Sequence, residues 1–336
     1  MTTSRQLILK TLEFDSPHRI PRQLWYLPWA ADHYPAELSR IQEHFPDDMV
    51  GAPSFFRQAP RTVGGAYDVG VYVDEWGCIF QNLQKGVIGE VKTPVVQTWD
   101  DLDKVRPPEE ALSIDVDQVN AFCRSTDKFV MSGCCARPFE RLQFLRRSDN
   151  VYIDLAEQTP EIFKLIDKIH QFYLKEMELW ATTEVDGLSF MDDWGSQRAL
   201  LISPRQWRQI FKPLYKDYID IAHSHGKKIF MHSDGYTAAI IPDLIELGLD
   251  ALNTQLFVMN IEDLGQRFAG QITFWGELDR QWLLPHATTA EIDAAVRRVH
   301  AAFWRSGGAI AQCEFGAGSK PENVWQMFQT WDELSG

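Results

Sequence analysis

Through the second half of this chain, short apolar runs rich in Val, Ile and Phe alternate with longer segments of helical periodicity. That alternation constrains the fold more than any other feature. DGLSFMD (186–192) leads into SPRQWRQIFKPLYKDYIDIAHSHG, which carries Pro204 in its first turn and Gly226 as a stop. KKIFMH (227–232) precedes AAIIPDLIELG, LDALN (249–253) precedes NIEDLGQRFAG, and QITFWG (271–276) precedes TTAEIDAAVRRVHAAFW. GGAIAQC (307–313) precedes KPENVWQMFQTWDEL. Upstream, KFVMSG (128–133) leads into PFERLQFLR and a long amphipathic helix around 159–182. RQLWYL (22–27) and DDMVGAP (47–53) supply two more strands. Strands are therefore expected near 23–27, 48–52, 128–132, 186–191, 228–232, 249–253, 271–276 and 308–313. Eight β-α units predict an α/β fold of the (β/α)8 TIM-barrel type, one domain over residues 1–336. An open doubly wound sheet is the alternative. VDEWGCIF and VIGEVKTPVV, in the region of about 60–100, predict a β-hairpin inserted between the second and third strands and capping one barrel end. The N-terminal MTTSRQLILKTLEFD predicts a short amphipathic helix.

Composition narrows the partners. With 33 Lys+Arg against 47 Asp+Glu, the net charge of −14 argues against nucleic acid or an anionic membrane. No apolar run approaches the roughly 20 residues that span a bilayer. The five cysteines (Cys78, Cys123, Cys134, Cys135, Cys313) lack a disulfide rhythm, so reduced thiols in a cytoplasm are expected. Gly64-Gly65 and Gly307-Gly308 are isolated pairs without a dinucleotide or P-loop pattern. A small-molecule substrate is the partner left.

In such a barrel the residues just after each strand converge on one face. Here they are Cys134 and Cys135, Asp192 and Asp193, His232 and Asp234, Asn253, Glu277 and Asp279, then Cys313 and Glu314. His232-x-Asp234 is the sharpest constellation, because residues i and i+2 at a strand end point the same way. With Cys313, and Glu277 or Glu314 completing the set, it offers ligands acceptable to zinc and leaves an open position. The plainer reading is a polar strand end with Cys313 as a small core residue. Adjacent Asp192 and Asp193 project to different sides, so one faces the cavity and the other pairs with Arg198 or a lysine. Trp25, Tyr26, Trp29 and Tyr34 follow the first strand and Trp194 the fourth; they line a substrate pocket or pack under loops. Asn253 joins the substrate-binding candidates. Asp192, Asp193 and Glu277 are the candidates for proton transfer.

FMDDWGSQRALLISPRQWRQIFKPLYKDYIDIAHSHGKKIFMHSDG, the following IIPDLIELGLDALN, VDEWG and CEFGAGSKPENV together resemble the uroporphyrinogen decarboxylase superfamily. The resemblance spans nearly the whole chain and implies a (β/α)8 barrel. It covers heme-pathway decarboxylases and zinc-dependent, corrinoid-linked methyltransferases, so function rests on the site. The decarboxylase holds its many-carboxylate substrate with an arginine-bearing loop after the first strand. Here that loop, LWYLPWAADHYP (24–35), has no arginine, and MVGAPSFF (49–56) lacks the aspartate of the second strand. Heme-pathway decarboxylation is disfavoured. The methyltransferase branch binds zinc through a His-x-Cys pair and a later Cys; His232 and Cys313 match, and Asp234 stands where the first Cys would be. The resemblance thus implies a zinc or similar divalent site, a corrinoid carried on a separate protein, and a homodimer. Its expected chemistry is methyl transfer to or from a thiol or methyl ether. Metal-free decarboxylation of a smaller acid, with Asp192 and His232 as acid and base, and a non-catalytic ligand-binding barrel are the rivals.

Overall fold

A ring of parallel strands organises the computed structural model, which describes residues 2–335. The strands are β1 (Arg22–Tyr26), β2 (Met49–Gly51), an inserted group β3 (Gly70–Val73), β4 (Ile79–Asn82) and β5 (Glu90–Thr93), then β6 (Phe129–Met131) and β7 (Gly187–Met191). They continue as β8 (Lys228–Ser233), β9 (Ala251–Thr254), β10 (Thr273–Trp275) and β11 (Ala309–Phe315). Eight of them form one parallel sheet in the order β1-β11-β10-β9-β8-β7-β6-β2. The sheet is a nearly closed (β/α)8 barrel, and every expected strand is present. At the seam between β1 and β2, individual bonds replace a ladder. The Asp48 N–H donates to the Arg22 carbonyl at 2.9 Å, and the Asp47 carboxylate accepts from the Leu24 N–H at 2.7 Å.

The helix Ser4–Leu12 forms where expected, started by a capping box between Thr3 and Gln6. Its Ile8 and Leu12 enter the bottom of the barrel and join Phe129, Met131, Phe230, Trp275 and Ile310. Each such buried side chain contributes about 1.5–3 kcal/mol. The lower barrel is thereby a packed plug, and polar chemistry is confined to the C-terminal mouth.

The inserted hairpin is present between β2 and β6, with one strand more than expected. It is a three-stranded antiparallel sheet, because Gly70–Val73 pairs with β4 ahead of the two anticipated segments. Its inner aromatic face packs on the barrel's helices: Phe80 meets Phe144 edge-on at 5.1 Å, and Trp76 meets Phe172 at 5.2 Å. No helix among the described residues is long and apolar enough to cross a membrane.

Candidate metal centre at the barrel mouth

Strand alternation decides which rim residues face inward. Phe230 lies in the interior plug, so His232 and Asp234, two and four residues later, follow it on the same side. In the parallel register Met191 sits beside His232, and Asp193, two residues beyond Met191, joins the mouth. His232 Nε2 lies 3.6 Å from Asp193 Oδ1 and 3.5 Å from Asp234 Oδ1. The Asp234 N–H donates to Asp193 Oδ1 at 2.9 Å and holds the two loops together.

Asn253 fixes the imidazole. Its amide nitrogen donates to the Trp275 carbonyl and, at 3.0 Å, to Gln312 Oε1. Its oxygen must then face His232 Nδ1, 2.6 Å away, and accept a proton from it. Nε2 is left with its lone pair directed at the two aspartates. Trp25 walls the ring on one side, with centroids 5.4 Å apart. The Trp25 and Trp275 indoles both donate to Gln23 Oε1, at 3.1 and 3.0 Å.

Arg280 is the residue of the mouth that sequence reasoning missed. It donates to Asp234 and lies 3.4 Å from Glu277 Oε1 and 3.3 Å from Glu314 Oε1. Glu277 is 2 % exposed, and neither of its oxygens has a hydrogen-bond partner among the described residues. Burial pushes its carboxyl up to about 8, opposed by the Arg280 guanidinium and aided by Asp234 and Glu314. Burial and the neighbouring Asp234 also raise Asp193. Asp193, Asp234 and Glu314 thus face one guanidinium and one imidazole beside the protonated Glu277, an imbalance that favours a cation.

The donor set fits a divalent ion. Asp193, His232 and Asp234 each offer a ligand atom, all within 4.8 Å of one another. Asp234 Oδ1 is buried without a hydrogen-bond partner. One imidazole nitrogen and two carboxylate oxygens suit zinc or a harder first-row ion such as manganese or iron.

Several sequence candidates lie elsewhere. Asp192 faces outward, fully buried, and in place of the expected Arg198 or lysine it accepts from the Tyr215 hydroxyl at 2.7 Å and the Glu140 N–H at 2.8 Å. It anchors the first turn of the helix Pro138–Arg146. Cys313 alternates with the inward-facing Gln312 and Glu314 and is buried in the apolar layer between strands and helices. Burial, reinforced by Glu277 and Glu314, drives its thiol well above the usual range. It takes no part in the Asp193–His232–Asp234 group. Trp194 is also core: it stacks on Phe139 at 4.0 Å and donates to the Tyr215 hydroxyl. Asn253 is fully buried and positions His232, so it has no surface for substrate. Of the first-strand rings only Trp25 packs on His232; Trp29 stacks on His33 at 4.2 Å, and Tyr26 is exposed at the strand end. Glu314 reaches the mouth through Arg280. Asp279 turns away to cap the Gln281 and Leu283 amides.

Residues 63–334 match the family model described as uroporphyrinogen decarboxylase (URO-D). A solved methyltransferase from Methanosarcina mazei superposes over 100% of both chains, with a TM-score of 0.73 at 15% identity. That likeness establishes the shared fold. A B12-independent methionine synthase from Shewanella sp. W3-18-1 aligns over 90% of this chain and 86% of its own, with a TM-score of 0.48 at 10% identity. No curated protein sequence matches.

Proposed function

This chain belongs to the uroporphyrinogen decarboxylase family, and within it we propose a metal-dependent methyltransferase that moves a methyl group between a small thiol or methyl ether and a corrinoid on a partner protein. The observation that carries the reading is the convergence of Asp193, His232 and Asp234, with the His232 tautomer fixed by Asn253. Asp193 Oδ1, His232 Nε2 and Asp234 Oδ1 would hold the ion. Such an ion supplies Lewis acidity, favouring the thiolate form of an acceptor or polarising an ether oxygen.

The chain's own groups do the rest. Asn253 accepts from His232 Nδ1 and so leaves Nε2 as the ring nitrogen aimed at the mouth, the usual task of a partner behind a ligand. Arg280 satisfies the other oxygen of Asp234 and moderates the charge of the carboxylate ring. Glu277 holds its proton to about pH 8 and is the donor for a leaving ether oxygen. Trp25 forms an apolar wall beside the ring.

Elemental analysis of protein purified without chelator tests the reading. About one divalent ion per chain, lost in His232→Ala, supports it, as does methylation of free reduced corrinoid by methyl ethers, or of thiols by free methylated corrinoid. Full occupancy in His232→Ala removes the ligand assignment. A second reading, metal-free proton chemistry, is favoured by the buried Glu277 carboxyl, which accepts no hydrogen bond among the described residues; undiminished activity in excess chelator would establish it instead.

A further inference from the structure

A cavity of about 530 Å3 lies beneath the inserted sheet, and none of Asp193, His232 or Asp234 lines it. Trp76 and Phe80 come from the sheet side, Phe144 from the helix Pro138–Arg146, and Phe172 and Tyr173 from the helix Pro160–Ala181. The chain at 133–135, just past β6, contributes as well. The volume is that of a small-ligand pocket.

Two charged groups in this aromatic chamber have unused bonding capacity. Glu176 sits in the apolar stripe of its helix, whose neighbours Phe172, Tyr173, Met177 and Trp180 are buried. It makes no hydrogen bond or ion pair among the described residues, and burial pushes its carboxyl up to about 7. Arg137 donates through Nη1 to Glu140 at 2.9 Å, which leaves most of its five N–H donors unused. Arg141 is engaged through both Nη atoms by Asp74 and Glu75, with only its buried Nε left over. Arg137 and Glu176 line one cavity and feel one another's charge, yet they form no ion pair. A carboxyl and a guanidinium with free donors that face one cavity without pairing offer complementary anchor points to a ligand that spans them.

We propose that this cavity binds a zwitterionic amino acid, with its carboxylate on Arg137, its ammonium on Glu176 and its apolar side chain against Phe80 and Phe144. A plain anion would leave Glu176 unpaired beside added negative charge, in a cavity already lined by three carboxylates and two guanidiniums. A plain cation would leave the remaining donors of Arg137 unused. A zwitterion satisfies both and adds no net charge. Phe144 also lines the adjoining cleft of about 600 Å3 that Asp193 borders, so the ligand's side chain lies towards the metal cluster. As the identity of a methyl-transfer substrate the inference rests on the reading above; as a binding site it does not.

Isothermal titration calorimetry on the full chain decides it, with the proteinogenic amino acids as probes. For L-phenylalanine the truncated controls are 3-phenylpropionate, which lacks the amine, and 2-phenylethylamine, which lacks the carboxylate. At least one apolar amino acid is expected to bind, and its truncated analogues about tenfold or more weaker, as charge-assisted bonds require. Arg137→Gln should lose about tenfold for the amino acid and leave the amine's affinity unchanged. Glu176→Gln should do the same with the carboxylic acid spared, so each variant's retained ligand reports that it is folded. Analogues that bind as tightly as the zwitterion would overturn the proposal, as would no amino acid binding with a Kd below about 10 mM. Amino-acid binding without methyl transfer sinks only the proposed reaction; bound metal without amino-acid binding sinks only this inference.

Discussion

Asp192 and Asp193 are neighbours on one strand end, yet they live in different surroundings. The outer carboxylate, Asp192, is fully buried and answered by the Tyr215 hydroxyl and the Glu140 amide. The inner one faces an incomplete set of bonds: Asp234 Oδ1 and both Glu277 oxygens have no hydrogen-bond partner among the described residues. β11 repeats the contrast, with Cys313 sealed in the outer layer between Gln312 and Glu314, which face the mouth. One step along a strand thus separates polar groups that hold the fold from polar groups the fold holds open. Unmet bonding capacity, kept in place by a rigid barrel, is what equips a site for a ligand.

Substitutions on the two faces should separate stability from binding. Asp192→Ala is expected to have the largest effect on folding, about 3 kcal/mol, since a buried hydroxyl and a helix amide lose their acceptor. Denaturant unfolding measures it, and metal content of the folded fraction should be unchanged. Asn253→Ala removes the group that orients His232, and a competition titration with a chelator should show metal affinity falling about 10–100-fold. In metal-free protein, Glu277 gives a pH signature. Burial raises its carboxyl from 4.5 to about 8, so the folded state keeps a proton that the unfolded state releases. The stability it contributes is whole below about pH 4.5 and is lost as pH rises through about 8, with a slope of at most about 1.4 kcal/mol per pH unit. Glu277→Gln should flatten that stretch of the stability profile. Cys313→Ala is expected to cost least, about 1 kcal/mol for a small cavity, with metal content unaffected.

The barrel was legible because buried parallel strands are short apolar runs and the helices between them keep their periodicity and caps. Ser203 and Pro204 start the helix Pro204–Ser224 as the sequence suggests. His232 and Asp234 were legible as an i, i+2 pair, and the divergence of Asp192 from Asp193 was legible too. Which aspartate turns inward depends on the register of β7 against β8, a property of two strands together. For the same reason Cys313 could be matched by position and still face the wrong side. Arg280 gave no local signal, since its role arises only when the chain after β10 folds back over Asp234. The third inserted strand was missed because GVYV is short and its pairing partner lies across a turn. Glu176 was passed over, although a carboxylate in the apolar stripe of an anticipated helix is the signal that could have marked it.

The inner and outer faces can be set against each other in one experiment: metal stoichiometry by elemental analysis of the native protein, Asp193→Ala and Cys313→Ala, prepared side by side. About one divalent ion per chain in the native protein and Cys313→Ala, and none in Asp193→Ala, is the expected result. An ion retained in Asp193→Ala, or lost in Cys313→Ala, would contradict the placement of the metal centre on the inner face.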